Sequence, residues 1–148
     1  MLCRELMRTP VVSCHLDDAA SQTAALMRTR KLGFVPVCDD GGRVVGTVTD
    51  RDLAIRVLAE CSLASTARLN ANTPLRWVMT PGPITCGPDD DLELAEDLMR
   101  RDHKSRIICV DEERRPVGVI SLSDIAQGEQ ADRVGELLRA ITEREVRG

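Results

Sequence analysis

Shifting the 148-residue chain by 72 positions lays residues 7–53 on residues 79–125 without a gap. Identical pairs include Met7/Met79, Cys14/Cys86, Asp17/Asp89, Asp18/Asp90, Leu26/Leu98, Met27/Met99, Arg28/Arg100, Asp39/Asp111, Val45/Val117, Gly46/Gly118 and Asp52/Asp124. Conservative pairs fall between them, among them Val12/Ile84, Val48/Ile120, Thr49/Ser121 and Leu53/Ile125. Polar residues match as well as apolar ones, so shared amphipathic patterning alone does not explain the agreement. A repeat of this period makes each copy one supersecondary unit, and a chain of this length has room for two such units around a shared core.

Each copy reads in the same order. A short apolar run, Val11 to Cys14 or Ile84 to Cys86, leads to Asp17-Asp18 or Asp89-Asp90, acidic residues suited to cap a helix and oppose its dipole. Ala20, Thr23, Ala24 and Met27, and in the second copy Leu92, Ala95, Leu98 and Met99, recur at helical spacing. Strands follow at Phe34 to Cys38 and Ile107 to Val110, then turns at Asp39-Asp40-Gly41-Gly42 and Asp111-Glu112-Glu113-Arg114. The returning strands, Arg43 to Thr49 and Pro116 to Ser121, run into helices starting near Arg51 and Ser123. The fold class is therefore α/β (α+β), two β-α-β-β-α units in tandem. The expected division is one unit over 1–60, a linker over 61–72 rich in Ser, Ala, Asn and Thr, and a second unit over 73–130. Pro74 suits the first turn of a short helix carrying Trp77 and Met79. Over 131–148, Val134, Leu137, Leu138 and Ile141 share one face of an amphipathic helix, which either covers the core of its own repeat or meets a partner.

Composition removes several function classes. A formal charge of -4 and a pI near 5.2 argue against a nucleic-acid surface, which needs clustered cations. Phe34 and Trp77 are the only aromatic residues, too few for base-stacking platforms. The apolar runs are too short to cross a membrane, and residues 1–8 lack the apolar stretch of a signal peptide, so a cytoplasmic chain is expected. The six cysteines, Cys3, Cys14, Cys38, Cys61, Cys86 and Cys109, have no C-x-x-C spacing and read as buried, reduced thiols. His15 and His103 lack a metal-ligand pattern, and no nucleophile or phosphate-loop motif is present, so neither a metal site nor an enzyme is expected.

Each copy closes on an octet, Gly46-Thr47-Val48-Thr49-Asp50-Arg51-Asp52-Leu53 and Gly118-Val119-Ile120-Ser121-Leu122-Ser123-Asp124-Ile125. Two such octets at one register, each preceded by the same helix, strand and turn, resemble the cystathionine beta-synthase (CBS) domain family over about residues 1–130. Val35-Pro36-Val37 matches the family's apolar-Pro-Val strand, whereas the second copy has Ile108 in place of the proline. The resemblance implies a CBS pair, or Bateman module, with its repeats related by pseudo-twofold symmetry and two clefts between them. It also implies that such modules pair, so a homodimer and an unidentified regulated protein are the expected partners.

An Asp at a helix start can accept hydrogen bonds from two vicinal hydroxyls, the geometry of a ribose, which makes Asp52 and Asp124 candidates. Thr49 and Ser121 stand three residues earlier at the strand ends, where the ribose-phosphate part of a ligand would lie. By the resemblance, Ser13 and Thr85 lie beside the adenine. Arg51 sits in the Thr-Asp-Arg-Asp form of many bacterial relatives. Arg106 holds the place where the gamma subunit of AMP-activated protein kinase carries a phosphate-binding arginine, and Ser123 resembles a serine of a nucleotide-binding repeat there. The ligand implied is an adenine nucleotide, AMP, ADP or ATP, sensed by a regulatory module. The alternative is a dimeric interaction module whose clefts are empty or hold NADH or S-adenosylmethionine. Helix caps for Asp52 and Asp124, satisfied strand-end hydroxyls for Thr49 and Ser121, and solvated charges for Arg51 and Arg106 are the plainer readings of the same residues.

Overall fold

A computed structural model describes residues 1–59, 69–128 and 131–147, and within the last stretch the side chains of 133–143. Cys61 and most of the expected linker lie outside the described residues. The elements in chain order are α1 (Cys3–Leu6), β1 (Cys14–His15), α2 (Ala20–Arg30), β2 (Phe34–Cys38), β3 (Val44–Thr49) and α3 (Asp50–Asp52), which runs on as a π-helical segment over Leu53–Leu58. After the linker come a 3₁₀ turn (Leu75–Trp77), β4 (Thr80–Pro81), β5 (Thr85–Cys86), α4 (Leu92–Asp102), β6 (Arg106–Val110), β7 (Pro116–Ser121), α5 (Leu122–Gly128) and α6 (Ala131–Arg147). The repeated β-α-β-β-α order is present, with α1 and β4 added and with Met79 lying beyond the short helix that was to carry it.

The chain forms two compact units, residues 1–11 with 84–148 and residues 12–83. Residues 1–11 lead into the first repeat in sequence but pack with the second. The segment that leads into the second repeat packs with the first. In the unit of 12–83 the sheet order is β1-β2-β3-β4, with β1 parallel to β2 and the other pairs antiparallel. Its core gathers Cys14, Met27, Val35, Val37, Val48 and Leu75, with Ala20, Val57 and Val78 in a smaller cluster. In the other unit β5-β6-β7 repeats the parallel-then-antiparallel order, and Leu92, Ala95, Met99, Ile107, Cys109, Ile120 and Ile125 fill the core.

The leading segments dock in matching ways. Arg8 bridges antiparallel to Val119 of β7, and Thr80 pairs with Thr47 of β3, positions that the 72-residue shift relates. A Cβ on Gly118 would run into the Sδ and Cγ of Met7, and a Cβ on Gly46 would meet Met79 Sδ at 2.5 Å and the Thr80 carbonyl at 2.9 Å. Only glycine admits the methionine at these two places. Arg76 pairs with Asp17 in one unit and Arg4 with Asp89 in the other.

The paired acids are therefore not helix caps. Asp18 accepts the His15 N–H at 2.8 Å and Asp90 accepts the Gly87 N–H at 2.7 Å, each closing the turn ahead of a helix, while Ala19 and Asp91 stand at the N-cap positions. The hairpin loops are built alike on Asp39 and Asp111, whose Oδ1 atoms each accept two backbone N–H groups. Gly42 takes the positive φ of the first loop, and in the second Arg114 adopts it at 65°. Helix α6 buries Leu137 and Ile141 in the core of its own unit while leaving Leu138 exposed, so its apolar face is first of all a core-covering face. Arg133 of α6 donates to the buried Glu96 of α4 at 2.8 Å, and the His103 ring nitrogen lies 2.8 Å from the Ala140 carbonyl. These polar contacts fix where α6 lies.

Candidate functional site

The two octets fold identically at their polar ends. Thr49 Oγ1 accepts the Asp52 N–H at 3.1 Å, and Asp52 Oδ2 accepts the Thr49 N–H at 2.9 Å. Ser121 Oγ likewise accepts the Asp124 N–H at 3.2 Å, and Asp124 Oδ2 accepts the Ser121 N–H at 2.9 Å. This reciprocal box satisfies backbone donors that a helix start leaves without intrahelical partners. In the second octet the Ser121 hydroxyl also donates to Asp124 Oδ2 at 2.6 Å, and its oxygen lies 2.8 Å from Ser123 Oγ.

The remaining oxygen of each carboxylate faces an arginine that the sequence reading did not select. Arg8 Nε donates to Asp124 Oδ1, while Arg56 approaches Asp52 Oδ1 at 3.7 Å. The two cations come from positions that the repeat does not relate. Arg8 aligns with Thr80 and Arg56 with Gly128, so each unit has one arginine near its carboxylate, supplied by the leading segment in one and by the helix in the other. The mismatches of the alignment carried that signal, not its matches. Burial pushes the Asp124 carboxyl up, but hydrogen bonds from the Ser121 hydroxyl, Arg8 and the Ser121 N–H outweigh it and hold the pKa below the ordinary carboxylate value.

A cavity of about 400 Å³ opens in the unit of 84–148, lined by Ser105, Arg106, Ser121, Leu122, Ser123, Ala126, Val134 and Leu138. Arg106 starts β6 directly opposite Ser121 at the end of β7, so strand register brings the cation and the hydroxyl to one mouth. Val134 and Leu138 of α6 supply an apolar wall. Three of the sequence-selected residues, Arg106, Ser121 and Ser123, thus line one cavity, with Asp124 bonded directly to Ser121. Thr85 lies on β5 opposite Ile108 and is not among the lining residues. In the other unit Thr49 and Asp52 are in contact, Arg51 is exposed at the start of α3, and Phe34 stands opposite Thr49 where the first unit has Arg106. Ser13 is exposed ahead of β1. The lining offers a cation and two hydroxyls at one end of an apolar-walled cavity, and the Asp124 carboxylate, itself not among the lining residues, stands directly behind Ser121. That is a binding chemistry suited to a polar, anionic head on a flat or aliphatic body.

This chain belongs to the CBS domain family, whose model matches residues 3–59 and 77–129. It is 31% identical over 142 residues to the uncharacterized protein YlbB of Bacillus subtilis (strain 168), covering 95% of this chain and 90% of that one. Among solved structures it resembles the CBS domain pair of protein MJ0100 in complex with 5-methylthioadenosine and S-adenosyl-L-methionine, with a TM-score of 0.72 and 23% identity over 86% of this chain and 94% of that one. CBSX2 in complex with AMP superposes with a TM-score of 0.70 at 22% identity, over 86% of this chain and 94% of that one. The fold is that of a CBS pair. No helix of the described residues is long and apolar enough to cross a membrane.

Proposed function

We propose that this CBS pair is a regulatory module that binds an adenine nucleotide, AMP, ADP or ATP, and carries out no reaction of its own. The cavity beside the second octet carries this reading. Its volume of about 400 Å³ falls within the usual range for small-ligand pockets, about 300–1,000 Å³, and its polar groups converge from β6, β7 and α5. Asp124 would take the ribose hydroxyls, Ser121 and Ser123 the ribose-phosphate oxygens and Arg106 the phosphate charge, with Leu122, Ala126, Val134 and Leu138 packing the base. Thr85, which lies outside the lining residues, keeps its assignment to the adenine edge on the family resemblance alone. In the other unit Ser13, Thr49, Arg51 and Asp52 form the corresponding set, and the lack of a counterpart to Arg106 makes it the weaker one. AMP and S-adenosylmethionine in structures of the same fold are in keeping with an adenosyl ligand.

We keep 1–60 and 73–130 as the two CBS repeats, joined by 61–72 and closed by the helix of 131–148. A cytoplasmic homodimer acting on an unidentified regulated protein completes the proposal. Ile55 and Leu58, three residues apart on one helix, are 52% and 68% exposed and offer an apolar surface for a second copy. Sedimentation of wild type against a double Ile55→Glu, Leu58→Glu variant tests this, and a wild-type monomer at micromolar concentration would refute it.

Thermal unfolding tests the ligand. Binding only to the folded state adds about 2.7 kcal/mol at a hundredfold excess over Kd, a rise of about 5–10 °C for a chain of this length. AMP, ADP or ATP should give such a rise and 2′-deoxy-AMP a smaller one, since one hydroxyl is missing. Replacing Asp124 with Ala should remove about 1.5–3 kcal/mol of the effect, the scale of hydrogen bonds to a charged group. A shift with S-adenosylmethionine or NADH alone would move the assignment to that ligand. No shift with any of them would leave a bare interaction module.

A further inference from the structure

Asp124 is 4% exposed, and its two oxygens have different partners. Oδ2 is held within the octet by the Ser121 N–H and hydroxyl, whereas Oδ1 is held by Arg8, whose side chain is 71% exposed. Oδ2 already accepts two hydrogen bonds, so Oδ1 is the oxygen left for a ribose hydroxyl, and the guanidinium occupies it. We propose that Arg8 is a displaceable plug of the Asp124 carboxylate, which a diol-bearing ligand must push aside to bind. This rests on the ribose-binding role of Asp124 proposed above.

Three observations favour displacement over a fixed structural pair. The Arg8 backbone is anchored independently of its side chain, its N–H donating to the Val119 carbonyl at 2.9 Å and its carbonyl accepting the Val119 N–H at 3.2 Å. The guanidinium can therefore swing away with the strand pairing intact. The Arg8 side chain is 71% exposed, so the displaced guanidinium returns to water, while the ligand's hydroxyls replace it on the buried carboxylate, which is not left without a partner. The other unit supplies the contrast. Arg56 donates to the Val78 and Met79 carbonyls at 2.8 and 3.0 Å and to Thr80 Oγ1 at 3.2 Å, with Asp52 further away at 3.7 Å. That guanidinium is tied to the backbone and makes only a long contact with its carboxylate. Competition is thus direct at the carboxylate beside the cavity and weaker at the other.

Calorimetric titration of the full chain with adenosine, an uncharged probe whose own binding carries no phosphate salt effect, tests the plug. The titrations use a D52N background, which removes the other carboxylate. Arg8→Gln should tighten adenosine by about 3- to 10-fold, the scale of a half-exposed ion pair. Raising KCl from about 0.05 to 0.5 M screens exposed charge, so adenosine should tighten with salt in the Arg8 protein and stay constant in Arg8→Gln. The salt series compares each protein with itself, so any effect of the background on the fold cancels, and Arg8→Lys, which keeps the charge, should stay near the affinity of the Arg8 protein. Adenosine binding that is unchanged or weaker in Arg8→Gln and indifferent to salt overturns the plug. If AMP still binds and Asp124→Asn abolishes it, the nucleotide site survives that failure. If neither AMP nor adenosine binds with or without Arg8, the site and the plug fall together.

Discussion

At the scale of single residues, Asp124 combines structural and binding chemistry in one side chain. Its pKa is depressed in the folded chain, so it contributes stability that is fully present above the unfolded value, about 3.9, and is lost as the pH falls through the lower folded value. Urea unfolding of wild type and Asp124→Asn from pH 7 downward should show a stability difference that shrinks only in that acidic window. A difference independent of pH would mean that the charge contributes nothing. The glycines under the two methionines give a second test. A methyl group at Gly46 meets the Thr80 carbonyl, which is backbone and cannot swing away, so Gly46→Ala should cost about 1–3 kcal/mol by overpacking. Chemical denaturation reads this directly, and a neutral result would show that β4 can shift.

At the scale of elements, α6 and the buried thiols are the informative cases. Leu137 is fully buried against the core of α4 and the β5-β6-β7 sheet, so Leu137→Ala should cost about 2–5 kcal/mol with the oligomeric state unchanged. A shift to monomer with unchanged stability would instead make α6 a dimer element. Cys86 and Cys109 are register partners on β5 and β6 with their sulfurs 3.5 Å apart, and Cys3 of α1 lies against both. The Cys109 and Cys3 thiols and burial push Cys86 up, the Cys3 thiol and burial push Cys109 up to about 12 against a lowering by Cys86, and burial pushes Cys14 and Cys38 up. A thiol held protonated is a poor nucleophile. Native thiol titration should find these four slow to react and released by denaturant, and rapid labelling of the folded chain would contradict that. The repeat, the hairpins and the α6 face were legible at this scale because apolar periodicity and turn chemistry are local. The short α1 and β4 were not, because four- and two-residue elements exist only through partners distant in sequence.

At the scale of the whole molecule, the repeat by itself determined the two-copy plan and the β-α-β-β-α order, while the family entered through the resemblance carried by the octets. It also picked out the octets whose Thr49–Asp52 and Ser121–Asp124 pairs form identical boxes, because these contacts span three residues and need nothing beyond the octet. The tertiary structure alone decided which unit each leading segment joins. Residues 1–11 pack with 84–148, and the segment before the second repeat packs with the first. Sequence alignment cannot see this exchange, since it relates each segment to the repeat it precedes rather than to the one it touches. From the exchange follow Met7 on Gly118, Met79 on Gly46 and Arg8 on Asp124. Asp124 was therefore readable as a carboxylate at a helix start, but its guanidinium partner, 116 residues away, was not. Local hydrogen bonding is written in residue spacing, whereas a charge pair between distant segments exists only once packing has chosen the neighbours.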